Sequence, residues 1–129
     1  MPRPVHFEIH AADPAAMQTF YQRLFGWRFQ AWEGPMEYWV VTTGASGEPG
    51  IDGGLMRRRG ASPVEGQAVN AFVCTMDVPD VDRTLGDLGA AGGSLALPKM
   101  AVPGIGWLAY IKDPDGNLLG IMQMDSGAK

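Results

Sequence analysis

"HFEIHAADPAAMQTFYQRLFGWRF", residues 6–29, runs from a strand into a helix and out again. Val5, Phe7 and Ile9 alternate with His6, Glu8 and His10, the period of two of a strand with one apolar and one polar face. Asp13 is a good N-cap, because its short carboxylate can accept from the orphan amides of a first helical turn. Pro14 fits the first helical position, where no amide is needed. Met17, Phe20, Tyr21 and Leu24 follow at helical spacing, and Gly26 ends the run.

Downstream, Trp27–Trp32 and Tyr38–Thr43 read as strands joined across "EGPME" (33–37). The glycine-rich "GASGEPG" (44–50) leads to a fourth strand near Ile51–Arg57, which gives a β-α-β-β-β module over about residues 4–58. A small, polar linker covers about 59–67, and the same order restarts over about 68–125. Ala71–Met76 reads as a strand, Asp77 and Asp80 offer caps around Pro79, and Val81, Leu85 and Leu88 line a helix closed by Gly92 and Gly93. Leu95 with Leu97, Trp107–Lys112 and Leu118–Met122 supply three more strands, with Pro98–Gly104 as the connection before the seventh. A shift of 64 places Asp13, Met17, Tyr21 and Leu24 on Asp77, Val81, Leu85 and Leu88, as an internal duplication would. The last two strands are joined by Asp113-Pro114-Asp115-Gly116, with proline at the second turn position and a glycine free to take positive φ. Gly120 then stands in mid-strand, where a glycine packs nothing and marks a bulge or a close approach.

Composition narrows the classes of function. A chain of 129 residues is most simply one domain; a domain of that size buries roughly two thirds of its unfolded surface. The net charge of −4 argues against a dedicated nucleic-acid binder, and Arg57-Arg58-Arg59 reads as a solvated strand end. No uninterrupted apolar span approaches membrane length and no leader-like segment opens the sequence. The lone Cys74 forms no internal disulfide, suits a reducing compartment, and by alternation should be a buried, inert thiol. A cytoplasmic protein without membrane or nucleic-acid partners is expected.

The opening stretch, with its strand, aspartate, helix, Phe-Tyr and Leu-Phe-Gly, resembles the start of vicinal oxygen chelate proteins: glyoxalase I, bleomycin-resistance proteins and extradiol dioxygenases. "GWLAYIKDPDGNLLGI" (106–121) resembles their closing hairpin. The resemblance covers nearly the whole chain and implies an α+β fold. In it two tandem β-α-β-β-β modules form an open, cup-shaped mixed sheet, with helices outside and a small-molecule cavity within. Enzymes of the family mostly hold one divalent metal through His and Glu side chains from four strands. By that pattern His6, seven residues before Asp13, keeps a ligand position. The second-module counterpart falls at Ala71, beside Asn70; the fourth-strand position falls in "DGGLM" (52–56), around Gly53–Leu55; the last-strand glutamate falls at Gly120. One ligand is present and three are missing. Catalytic zinc needs about three protein ligands, so no metal and no other cofactor is expected. His6, Glu8 and His10 share a face, but the first and last stand on the order of 13 Å apart along a strand, too far for one ion.

What remains is a cavity suited to a small hydrophobic or aromatic molecule held by aromatics and a few polar groups. His10, Trp32, Tyr38, Trp39, Met56, Tyr110, Leu118 and Met122 are its candidate lining. Tyr110 matches a cavity-facing tyrosine of the extradiol enzymes. His6 and Glu8 are the candidate acid–base pair, the carboxylate holding the imidazole in a useful tautomer. Two functions are therefore open: metal-independent binding in the manner of bleomycin-resistance proteins, or a glyoxalase-like lyase or isomerase using His6 and Glu8 or a non-standard divalent metal site. Open sheets leave edges that want covering, and members of the family commonly pair, so a homodimer is expected.

Overall fold

The structure, a computed structural model, describes residues 3–69 and 72–129. Asn70 and Ala71, where the family pattern sets a second-module ligand, lie outside the described residues. The elements follow in the order β1 (Phe7–Ala11), α1 (Pro14–Phe25), β2 (Arg28–Ala31), β3 (Trp39–Thr42), β4 (Gly53–Arg57), β5 (Thr75–Asp77), α2 (Val81–Leu88), β6 (Ser94–Val102), β7 (Gly106–Lys112) and β8 (Leu118–Met124). This is α+β, two β-α-β-β-β modules, and the chain divides into two compact units between Ser62 and Pro63.

In the first unit the strands lie in the order β1-β4-β3-β2, with β1 parallel to β4 and the remaining pairs antiparallel. Asp13 caps α1, its side chain accepting from the Ala16 amide at 3.2 Å, and Gly26 ends it at φ 72°, which a Cβ would disfavour. Burying Pro14, Met17, Phe20 and Tyr21 points one stripe of α1 at the sheet. There Tyr21 stacks on Trp27 at 4.8 Å, and Phe7 and Phe25 flank the same indole. Val41 and Leu55, fully buried, complete this core from β3 and β4. Val5, expected on the apolar face, is 78% exposed. Pairing between β1 and β4 begins at Phe7 with Gly53, so Val5 lies ahead of the paired strand.

The second unit repeats the arrangement, β5-β8-β7-β6, with β5 parallel to β8. Asp80 supplies the cap of α2, accepting from the Arg83 amide at 3.0 Å. The repeat therefore runs at a shift of 67, Asp13 onto Asp80, instead of 64. The buried positions agree with it: Pro14, Met17 and Tyr21 of α1 fall on Val81, Thr84 and Leu88 of α2. Ile111 and Ile121 occupy the core places of Val41 and Leu55.

Other expectations are corrected. Pro98 and Lys99 lie inside β6 and not in a connection; β6 is an edge strand with register irregularities around Leu97, which is where a sheet tolerates proline. Lys99 pairs with Asp82 at 2.9 Å and lies over the Trp107 ring. Cys74 is exposed and not buried. It precedes β5, so strand alternation does not govern its side chain, although its carbonyl accepts from the Gly120 amide. Among the described residues no helix is long and apolar enough to cross a membrane.

Candidate functional site

Strand registers sort the side chains of the first unit onto two faces. Phe7, Ile9, Val41 and Leu55 face α1, and Trp39, paired with Leu55, goes with them. The opposite face carries Glu8 and His10 from β1, Val40 from β3 and Gly54 and Met56 from β4, since Glu8 and Val40 both pair with Gly54 and His10 pairs with Met56. His6, just before β1, and Tyr38, just before β3, continue the alternation onto this face. Trp32 stands just past β2, its amide bonded to the Tyr38 carbonyl and its indole edge-on to the Tyr38 ring at 6.2 Å.

Four polar groups join across this face. The His6 Nε2 lies 3.0 Å from the Tyr38 hydroxyl, and the His10 Nε2 lies 2.7 Å from Glu8 Oε1. Between them, the Tyr38 phenol lies near enough to Glu8 for the carboxylate to act on its titration. An ionised carboxylate only accepts, so His10 donates from Nε2 to Glu8, while the imidazole tautomer decides which of His6 and Tyr38 donates to the other. Partial burial, followed by the Glu8 charge and the hydrogen bond to it, holds the Tyr38 hydroxyl above its ordinary pKa of 10.0. The pairing expected from sequence is thereby revised. Glu8 bonds His10 directly, and His6 bonds Tyr38 instead.

Gly54 is what admits Tyr38. A Cβ at residue 54 would fall 1.7 Å from the Tyr38 hydroxyl and 2.1 Å from its Cζ, so the phenol fills the place of the missing side chain. Gly34 serves Trp32 similarly, with the indole 2.1 Å from where a Cβ would stand. In the second unit Gly120 is paired with Thr75 and Tyr110, on the face away from α2. A Cβ there would meet Thr75 Oγ1 at 2.8 Å and Tyr110 Cε1 at 3.3 Å. Leu118 and Met122 share that face with Tyr110. Gly54 and Gly120 hold the same register in their modules, opposite Glu8 and Thr75 respectively. Both glycine notches are filled by hydroxyl-bearing neighbours instead of standing hollow.

This arrangement can be tested against the divalent metal of the fold family. Two of the four family positions are glycines already filled by neighbouring side chains, and the carboxylate and imidazole that do meet, Glu8 and His10, bond each other. Among the described residues no three of His, Cys, Asp and Glu are placed to hold an ion. Among the described residues the donor set does not fit a catalytic metal. Sequence reasoning missed the bond between Tyr38 and His6 and the seat that Gly54 gives the phenol; the Gly53-Gly54 doublet inside a strand was the available signal. It also missed a shallow depression of about 490 Å³ lined by Arg28, Phe29, Gln30 and Thr42, for which the sequence carries no mark.

No curated protein matches the sequence significantly. Solved structures match along nearly the whole chain. A glyoxalase-related enzyme from Fulvimarina pelagi is 21% identical with a TM-score of 0.68, covering 100% of this chain and 98% of its own. The trypanothione-dependent glyoxalase I of Leishmania major is 17% identical with a TM-score of 0.70, covering 95% and 87%. A genomically encoded fosfomycin resistance protein of Listeria monocytogenes is 15% identical with a TM-score of 0.71, covering 97% and 94%. At such identities these likenesses establish the fold, and chemistry varies widely on one fold. The profile of one family matches residues 3–121, nearly the full length, and the chain belongs to that family, the Glyoxalase/Bleomycin resistance protein/Dioxygenase superfamily.

Proposed function

We propose that this chain is a metal-independent, bleomycin-resistance-like member of its superfamily that binds a small hydrophobic or aromatic molecule. The observation that carries the reading is the Tyr38 phenol seated in the Gly54 notch and bonded to His6. There the groups pair off, hydroxyl with imidazole and carboxylate with imidazole, and among the described residues no three ligating side chains are placed to hold an ion. Beside them stand Trp32 and Val40, 46% and 43% exposed, with Met56, so apolar surface adjoins oriented polar groups, as small-molecule sites require. The same reading takes the chain as cytoplasmic, from its unpaired cysteine. It also takes the chain as a homodimer, because β1, β2, β5 and β6 each leave a sheet edge.

The test is elemental analysis and native mass spectrometry of protein taken directly from cells. A bound organic mass with far less than one transition ion per chain supports the reading. One tightly held transition ion per chain overturns it.

A second reading rests on the 2.7 Å contact between Glu8 and His10. A carboxylate that fixes an imidazole tautomer equips it for proton transfer, as a glyoxalase-like lyase or isomerase would need. A compound that raises the melting temperature and is then consumed favours this reading; one that is retained unchanged favours binding.

A further inference from the structure

We infer that the Glu8–Tyr38 face takes a flat aromatic ligand bearing N–H donors and disfavours one bearing an oxyanion. This deepens the binding reading above and rests on it. The inference follows from counting lone pairs and protons. The His10 Nε2 proton is committed to Glu8 at 2.7 Å, and His6 Nε2 and the Tyr38 hydroxyl share one hydrogen bond at 3.0 Å. An ionised carboxylate has about four acceptor sites, and His10 takes up one of them on Glu8. The chain therefore offers a ligand unused carboxylate acceptors, and a negative charge, at its centre. A divalent metal would do the reverse and draw ligand oxygens.

The surrounding charges leave that preference standing. Arg57 is paired with Glu37 at 2.9 Å, and Arg58 donates to the His10 carbonyl at 2.9 Å. Arg28 lies on the same face but three strands away, β1 and β2 being the two edges of the sheet. At about 4.8 Å per strand that is ~14 Å, beyond the Debye length of about 8 Å at physiological salt. Glu8 is 42% exposed on its side chain, so a ligand reaches it without rearrangement. The Trp32 indole, on the other side of Tyr38, gives a ring apolar surface one tyrosine away from the acceptors.

The experiment uses three probes of matched size, 4-aminoquinoline, 1-naphthoate and 1-methylnaphthalene, titrated into the full chain. Affinity is read by calorimetry, and location by the ring NMR signals of His6, His10 and Trp32. We expect 4-aminoquinoline to bind about tenfold more tightly than 1-naphthoate, the size of one charge-assisted hydrogen bond gained against one repulsion. Glu8→Gln, which keeps an acceptor and removes the charge, should reduce that preference severalfold. It should leave 1-methylnaphthalene unchanged and the melting temperature nearly so. If 1-naphthoate binds as well as or better than 4-aminoquinoline with the same signals moving, the donor preference is wrong while the binding face stands. If none of the three moves those signals, the face is not a ligand site and both readings fall. Equal preference in Glu8→Gln and the parent chain also overturns the role given to Glu8.

Discussion

Replacing Gly54 with alanine tests the centre of this description. The new Cβ would lie 1.7 Å from the Tyr38 hydroxyl, and the obstructing group is the far end of a side chain that can swing away. The phenol then loses its bond to His6 and its interaction with Glu8. Each is worth about 1 kcal/mol net, the one to the half-exposed carboxylate being screened by solvent. Against that loss of ~2 kcal/mol, alanine gains about 0.5–1 kcal/mol over glycine in a strand. The net is a destabilisation of about 1–1.5 kcal/mol, or ~3–7 °C in melting temperature for a chain of this size. Tyr38 is one of three tyrosines, so its ring carbon signals can be followed singly through an alkaline titration. In the parent chain it should titrate above its ordinary value; in Gly54→Ala it should fall back toward that value as the His6 Nε2 signal shifts. A melting temperature that rises, with the His6 and Tyr38 signals unmoved, would refute the claim that the phenol occupies this notch.

Further outcomes follow from the same contacts. Gly53→Ala should be more damaging than Gly54→Ala, because its Cβ would meet the Phe7 backbone carbonyl at 2.5 Å, which cannot turn aside; denaturant melts compare the two. Gly120→Ala should cost less than Gly54→Ala, since the obstruction is chiefly the Thr75 hydroxyl at 2.8 Å; equal losses in a thermal melt would sink this ranking. Folding raises the Tyr38 pKa, so its contribution to stability is present below pH 10.0, the ordinary value, and is lost as pH rises through the folded one. Tyr38→Phe should therefore flatten the alkaline limb of the stability curve. The Trp107 Nε1–H and the Gly127 amide lower the Asp125 pKa, so its contribution is present above the ordinary value of 3.8 and fades as pH falls through the folded one. Trp107→Phe should weaken that acid dependence, read by urea midpoints between pH 2 and about 5.

Much of the fold was legible along the chain. Asp13, Pro14 and Gly26 bound α1 where local rules place it, and the Asp113–Gly116 turn, closed by the Gly116 amide on the Asp113 carbonyl, divides β7 from β8. The repeat was visible, but its shift was not. Asp77 and Asp80 both look like caps in sequence, and only the bond from the Arg83 amide selects Asp80. Pro98 hid the continuity of β6 because the sequence does not say which strand will be an edge.

The candidate site divides along the same line. The alternation of His6, Glu8 and His10, and the glycines at 54 and 120, are local facts that the sequence states outright. What lies opposite each glycine is set by pairing between strands remote in the chain, as with His6 and Tyr38, 32 residues apart. The side-chain period of a strand is two, so a register change of one residue would have carried Tyr38 to the helix side, with Trp39 in its place. Local residue preferences chose the elements and their polarity; cross-strand register chose which oxygen sits in the notch, and with it the chemistry the face presents.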